Sequence, residues 1–357
     1  MSVSPITSAP PNPHAVQGAV RRTLPLAPAS FFAMTLGLAE TGNAWRFATA
    51  TWGLNPAFGE VLQLLSALSF VWWMALYLNK WINHRQAALA EARDPVQSAF
   101  LALIPESLIL MALALQPYAI GGAQVLFWIG SAANLLYGAY RMAATWTDER
   151  QGSDSVPPLF LSYTASVLVN ALAAGLLGHA SFGWMLFGIG VVSWLVLDSV
   201  LTQQLAVGGL AVKTRNFMGI YMAPSVVALV AYQVLAGDAL SLPLTYALTG
   251  YALFLAAAMI FAYRWLREQP FAGGYWAYTF GIATLAQGLM LGARHSHDPL
   301  LDTLAMLAFA ITLLATGSVA VGTIRLLLKG AYYPPVATPA PVTAPAPDNV
   351  VAMAPQR

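Results

Sequence analysis

The sequence predicts an all-α membrane protein with ten transmembrane helices. Three observations predict it. The chain is 58% hydrophobic and only 8% charged, whereas a soluble domain is about 25% charged. Its apolar runs are about 20 residues long, the length a helix needs to cross a hydrocarbon core. Its cationic residues, laid on a ten-span chain, gather on one side of the membrane, which is the bias that orients helical membrane proteins.

The spans fall at 26–43, 58–79, 97–116, 119–145, 158–178, 182–203, 216–236, 241–266, 272–292 and 300–328. The links between them are short, so successive spans pair as antiparallel helical hairpins, five in all. Arg21, Arg22, Lys80, Arg85, Arg93, Arg141, Arg150, Lys213, Arg215, Arg264, Arg267, Arg325 and Lys329 then lie on one side, joined by Arg357, and only Arg46 and Arg294 lie on the other. Both termini are therefore expected in the cytoplasm. The alternation also checks the count, because one missed span would scramble it. Trp52, Trp81, Trp146, Trp184 and Trp265 stand near span ends, where interfacial anchors sit.

Residues 1–23 are polar and Pro-rich, with Arg21-Arg22 before the first apolar run. They do not read as a signal peptide and are expected to be a disordered cytoplasmic N-terminus. Residues 24–333 form the membrane domain, with no soluble domain inserted. Residues 334–357 are rich in Pro and Ala and are expected to be a disordered cytoplasmic tail. The chain has no cysteine, which excludes disulfides, thiolate metal sites and cysteine nucleophiles.

The odd-numbered spans share a direction, and four of them carry a special residue at nearly one depth: Thr35, Pro105, Pro224 and Phe280. A proline inside a helix removes one backbone bond and clashes with the carbonyl four residues earlier, here those of Leu101 and Ile220. Kinked helices with freed carbonyls are tolerated where they are buried in protein or line a cavity. Phe280 lies in an uncharged apolar stretch between Thr279 and Gly281, so its ring has room to swing. It reads either as a plug in a pore between such helices or as one more packed aromatic.

Further stretches resemble the TehA family, the tellurite-resistance/dicarboxylate transporters, whose superfamily includes the plant slow anion channels. They are Ala90-Glu91-Ala92-Arg93-Asp94-Pro95-Val96 running into Phe100-Leu101-Ala102-Leu103-Ile104-Pro105, Arg215 followed by Met218-Gly219-Ile220-Tyr221-Met222-Ala223-Pro224, Gly188-Ile189-Gly190 with Ser193-Trp194, Gly250-Tyr251, Ala44-Trp45-Arg46, and Trp276-Ala277-Tyr278-Thr279-Phe280-Gly281. The resemblance implies a homotrimer in the cell inner membrane, with a separate pore in each subunit. It implies an inner ring of the five odd helices around a central pore, an outer ring of the five even ones, and closure of the pore by Phe280. The expected partners are small anions and membrane lipid. The chain departs from the family pattern at Thr35 and Ser162, where proline is common, at Asp198-Ser199 and Phe261, and at Glu40 and Glu106, where neutral residues are usual.

Ionisable residues inside a membrane are costly, and three acids sit within the spans: Glu40, Glu106 and Asp198. Asp198, near the cytoplasmic end of its span, is expected to make a structural ion pair or a helix-end contact. Glu40 lies six residues before Arg46 and reads as its partner or as a solvated vestibule acid. Glu106 is deep. It either bonds a freed carbonyl such as that of Leu101, or carries a proton with the anion, or turns to a watery vestibule. His295, His297 and Asp298 form a short outer cluster, but loop histidines are ordinarily just solvated and no metal is expected. No facing histidine pair supports haem, and no phosphate loop, no nucleophile with a base and no intramembrane lysine is present, so neither enzymatic chemistry nor a cofactor is expected. The basic rim suits orientation and anionic lipid better than nucleic acid. Three functions remain: a gated anion channel, a proton-coupled dicarboxylate or oxyanion (tellurite-type) carrier using Glu106, and a non-transporting membrane sensor.

Overall fold

A computed structural model describes residues 24–149 and 151–333. The expected disordered ends, with Arg21, Arg22, Arg150 and Arg357, lie outside the described residues. All regular structure described is helical. The chain builds α1 (Phe32–Trp52), α2 (Ala57–Asn83), α3 (Arg85–Arg93), α4 (Leu103–Leu115), α5 (Ile120–Thr147), α6 (Leu159–Tyr163), α7 (Ala165–Leu176), α8 (Ala180–Gly208), α9 (Met218–Tyr221), α10 (Ala223–Ala236), α11 (Leu242–Phe261), α12 (Tyr263–Leu266), α13 (Trp276–Ser296) and α14 (Pro299–Leu328).

Tight links fold these into hairpins. Gly53 ends α1 at φ 70°, a left-handed position that glycine adopts without steric cost. Asp298 begins α14 by accepting the Leu300 N–H at 2.9 Å, with Pro299 in the first helical position, where its missing N–H costs nothing. α1 packs on α2, α4 on α5, α7 on α8, α10 on α11, and α13 on α14. The first helix of each pair also meets the next: α1 on α4, α4 on α7, α7 on α10, α10 on α13, and α13 back on α1.

Burial separates the two sets. In its most apolar stretch, Val212–Ala239 is 89% buried and Gln97–Leu115 is 72% buried, whereas α2, α5, α8, α11 and α14 are 22% to 33% buried. The exposed faces of the second set carry large apolar side chains such as Leu68, Leu136, Val196, Phe254 and Leu314, as a surface bathed in hydrocarbon does.

Among the described residues, seven stretches are long and apolar enough to cross a membrane by length and composition. Ten were expected. The expected first, fifth and ninth spans, which fall on α1, α6–α7 and α13, are not among the seven. α1 carries Glu40, Asn43 and Arg46, and α13 carries Gln287 and Arg294. The expected fifth span is divided by Thr164, whose backbone (φ −123°, ψ −79°) leaves the helical region between α6 and α7. These segments are nonetheless largely buried in protein.

The two prolines lie beside changes in helix type, and Thr35 does not. Pro224 follows a break at Met222, between α9 and α10. Pro105 lies in the first turn of α4, just after the 3-10 turn Gln97–Ala102. Thr35 interrupts nothing: α1 is continuous through it. Its hydroxyl pairs with that of Ser69 at 2.9 Å, and its carbonyl accepts from Ser66 at 2.8 Å. A threonine keeps the N–H that a proline lacks, so the ladder continues.

Candidate functional site

A cavity of about 140 Å³ opens among the first turns of the buried helices. Every lining residue comes from the strings that carry α1, α4, α6–α7, α9–α10 and α13; none comes from α2, α5, α8, α11 or α14. α4, α7, α10 and α13 each give their first helical residue to its wall, Leu103, Ala165, Ala223 and Trp276, and α1 gives its second, Ala33. Five buried helical strings thus surround one space, and those of α4 and α10 run past it from helical turns that begin at Gln97 and Val212. No lysine or arginine lines the cavity.

Phe280 and Glu106 both line this cavity. Phe280 stands one turn into α13 and is 6% exposed. Small residues let its helix approach its neighbours. A Cβ at Gly37 would overlap the Thr279 hydroxyl and come within 2.9 Å of the Trp276 ring, and one at Gly281 would lie 3.1 Å from the Met222 methyl. α13 is therefore seated against α1 on one side and against the α9–α10 break on the other.

Glu106 is the one ionisable side chain in the lining. It is 1% exposed, and its Oε2 is buried without a hydrogen-bond partner, the Leu101 carbonyl included. Buried polar atoms are normally paired; this oxygen is unpaired and, having almost no accessible surface, is enclosed by protein rather than open to the cavity. An ionised carboxylate about 5 Å from a passing anion repels it by roughly 3 kcal/mol at an effective dielectric near 20.

Glu40 lies beyond the cavity, one turn past Leu36 on α1, and is also 1% exposed. It is neither a solvated vestibule acid nor the partner of Arg46. Its Oε1 accepts from Gln287 Nε2 at 2.6 Å and from Thr284 Oγ1 at 3.0 Å, and its Oε2 accepts from Asn43 Nδ2 at 3.1 Å. Asn43 Oδ1 in turn accepts from Gln63 Nε2 at 2.8 Å. This network joins α1, α2 and α13. Thr284 Oγ1 also lies 2.9 Å from the Phe280 carbonyl, so one hydroxyl serves both the carboxylate and the turn that carries Phe280.

Arg46 instead forms a two-pronged pair with Glu60, at 2.8 and 2.7 Å, and reaches the carbonyls of Leu113 and Ala114 at the end of α4. A guanidinium there satisfies carbonyls that the helix leaves open. Asp198 accepts from the Tyr251 hydroxyl at 3.2 Å rather than from a basic side chain. In the outer cluster, Asp298 serves as the α14 cap, and His295 Nδ1 sits 2.8 Å from the Leu291 carbonyl.

The partners of Glu40 escaped the sequence reading. Thr284 and Gln287 follow Phe280 by four and seven residues, a spacing that puts all three on one helix face. Two polar side chains at that spacing in an apolar span were the available signal.

Residues 27–324 match the family described as SLAC1, voltage-dependent anion channel. The chain is 27% identical over 315 residues to the Tellurite resistance protein TehA homolog of Haemophilus influenzae, covering 88% of this chain and 94% of that protein. It is 25% identical over 278 residues to the S-type anion channel SLAH2 of Arabidopsis thaliana, covering 72% of this chain and 51% of the plant protein.

Proposed function

The chain belongs to the voltage-dependent anion channel (SLAC1) family, and from that premise we propose that it moves small anions across the cell inner membrane through a pore closed by Phe280. One observation carries the reading: a cavity walled by all five buried helical strings and by no residue of the exposed helices, with Phe280 in its lining. In this reading ten spans form five hairpins. The first helices of the hairpins make an inner ring around the pore, the second helices face lipid, and both termini are cytoplasmic. The cyclic packing of α1, α4, α7, α10 and α13 supports that arrangement. The functional unit is a homotrimer with one pore per subunit, and no enzymatic step is involved.

Hydrophobic constrictions gate by excluding water. Reconstitution of the purified protein into liposomes tests the reading. Phe280→Ala is expected to raise anion flux sharply while the protein stays folded. An intact variant no leakier than the parent would make Phe280 packing only.

A second reading, a proton-coupled carrier of dicarboxylates or oxyanions, is favoured by the orphaned Oε2 of Glu106. Flux measured with and without proton counter-movement separates the two. A channel is electrogenic without it, and a carrier couples anion to proton. Glu106→Gln would abolish coupled uptake in the carrier while exchange of anion for anion survived.

A further inference from the structure

After α14 the chain turns back on the protein. Gly330 stands at φ 65°. The Ala331 N–H returns to the Leu326 carbonyl at 2.9 Å, and the Gly330 N–H returns to the Leu327 carbonyl at 3.0 Å. This pair of bonds closes a helix and asks for glycine at the left-handed position. The reversal carries Tyr332 against the protein, where it is 6% exposed. Its ring centre lies 4.6 Å from that of Phe31, and it stacks on Trp73 at 5.9 Å and 23°. Phe31 and Trp73 also meet each other edge-on at 5.0 Å. A Cβ on Gly273 would stand 3.2 Å from the Tyr332 hydroxyl oxygen, so the ring lies close over that glycine as well.

The seat of Tyr332 joins two turns that reach the cavity. Phe31 ends the 3-10 turn Ala29–Phe31, whose Ser30 lines the cavity. Gly273 begins the 3-10 turn Gly273–Tyr275, whose Gly274 lines it too. The second turn runs straight into α13, where Phe280 follows Trp276 by one helical turn. α14 grips the same place a second time, because Trp276 Nε1 donates to Thr323 Oγ1 at 3.0 Å. Beyond Phe280, α13 is held to Glu40 through Thr284 and Gln287. The turn that carries Phe280 is therefore held from both ends, and Tyr332 belongs to the hold before it.

Resting on the reading of Phe280 as the gate, we propose that Tyr332 is a positioning residue for that gate: the strap of residues 330–333 holds the start of α13 against the start of α1 and so keeps Phe280 seated in the cavity. An aromatic ring suits the task, because it is rigid and each ring pair adds to the burial of its faces. With the strap released, the turn Gly273–Tyr275 loses its cover while Thr284 and Gln287 still hold the helix beyond. The turn between the two holds is then free to tilt, and Phe280 leaves its seat with it. No residue of the strap lines the cavity, so Tyr332 acts on the path only through α13.

Nitrate flux in liposomes tests this on the full-length protein in four forms: the parent, Tyr332→Ala, Phe280→Ala and the two changes combined. Tyr332→Ala is expected to raise flux about threefold to tenfold, the range that one or two lost ring pairs allow. Tyr332→Phe keeps the ring and is expected to match the parent. In the combined protein the gate ring is already gone, so Tyr332→Ala is expected to add nothing to the flux of Phe280→Ala. A change that merely loosens the protein would raise flux in both backgrounds. Where alanine does not yield a folded protein, Tyr332→Leu takes its place, since leucine fills the seat without stacking, and a rise of the same sign is expected. Parent flux in the alanine or leucine variant, beside a leaky Phe280→Ala protein, overturns the strap and leaves the gate standing. So does a rise of equal size in both backgrounds, or a phenylalanine variant as leaky as the alanine one. An intact Phe280→Ala protein that does not leak overturns the gate, and the strap with it.

Discussion

The side-chain amide of Gln287 donates to Glu40 Oε1 across 2.6 Å, tying a buried carboxylate of α1 to the helix that carries Phe280. The tie spans 247 residues of sequence. It shares its carboxylate oxygen with Thr284, whose hydroxyl has the Phe280 carbonyl as a second acceptor. α13 is thus fixed one and two turns beyond the proposed gate.

Truncating Glu40 weakens one donor's pairing and strands another. Thr284 can turn to the Phe280 carbonyl and Gln287 keeps only long contacts to the Glu40 and Ala283 carbonyls, at 3.4 and 3.5 Å, but Asn43 loses its acceptor in a site with almost no access to water. A buried polar group left unpaired costs about 1–3 kcal/mol. Glu40→Ala is expected to lower the thermal unfolding midpoint in detergent, and Glu40→Gln, which keeps a carbonyl for Gln287, is expected to lower it less. An alanine variant that melts with the parent would show that the network adds nothing to stability.

A second test concerns the approach of α9 to α13. A Cβ on Gly219 would stand 2.7 Å from the Tyr278 nitrogen and 2.9 Å from the Ala277 carbonyl carbon. Both are backbone atoms, which cannot rotate away. Gly219→Ala is expected to destabilise by about 1–3 kcal/mol, as overpacking does. Gly250→Ala is the comparison. Gly250 has open space around it in α11, so alanine there is neutral or stabilises the helix by up to about 1 kcal/mol. Denaturation of the two proteins side by side reads the difference, and equal stability would contradict the close packing.

Much of this architecture was legible in the sequence because hydrophobic length and charge alternation are local signals. Pro224 marked a break that the structure has, and Pro105 marked the entry to α4. Thr35 stands where proline is common in the family, and the helix runs on through it. The break at Thr164 has no proline to announce it; Pro157 and Pro158 lie too early in the string. The polar partners were the least visible. Arg46 was offered Glu40 at six residues and took Glu60 at fourteen, since Glu40 points inward to α13 while Arg46 reaches across to α2 and the end of α4. Such choices depend on helix rotation, which span length does not determine.

The ion pair of Lys80 and Glu91, 2.7 Å apart with both side chains 7% exposed, yields a third prediction. Glu91 also accepts the Ala29 N–H at 2.8 Å, which fixes the turn that leads into α1 at the cavity mouth. Removing one member of a buried pair strands the other and costs about 3–5 kcal/mol. Lys80→Met is expected to cost that much, and Lys80→Met combined with Glu91→Gln to recover part of it, because the neutral amide still accepts from Ala29. A double variant as unstable as the single one would deny the pair its coupling.

Orientation is tested with reporters. Fusions after Arg150 and after Lys329 are expected to read cytoplasmic, and one after Asp238 external, as the charged loops require. An opposite sign at any of the three would remove the ten-span arrangement.

The last prediction grades the gate. Burying an apolar side chain of this kind is worth roughly 1.5–3 kcal/mol, and a narrow apolar constriction stays dry for the same reason. If Phe280 acts by filling the path, flux should follow the volume left at that position. Phe280→Ala is expected to leak most, Phe280→Leu less, and the parent least. Phe280 is nearly buried among the five helices, so the alanine variant also loses core packing, at a cost of about 3–5 kcal/mol. Thermal unfolding of each variant must therefore accompany the flux. A leak that tracks lost stability, and vanishes when a distant stabilising change such as Gly250→Ala restores the melting point, would mark Phe280 as a packing residue. A leak that persists at restored stability, and still ranks alanine above leucine, would mark it as the plug.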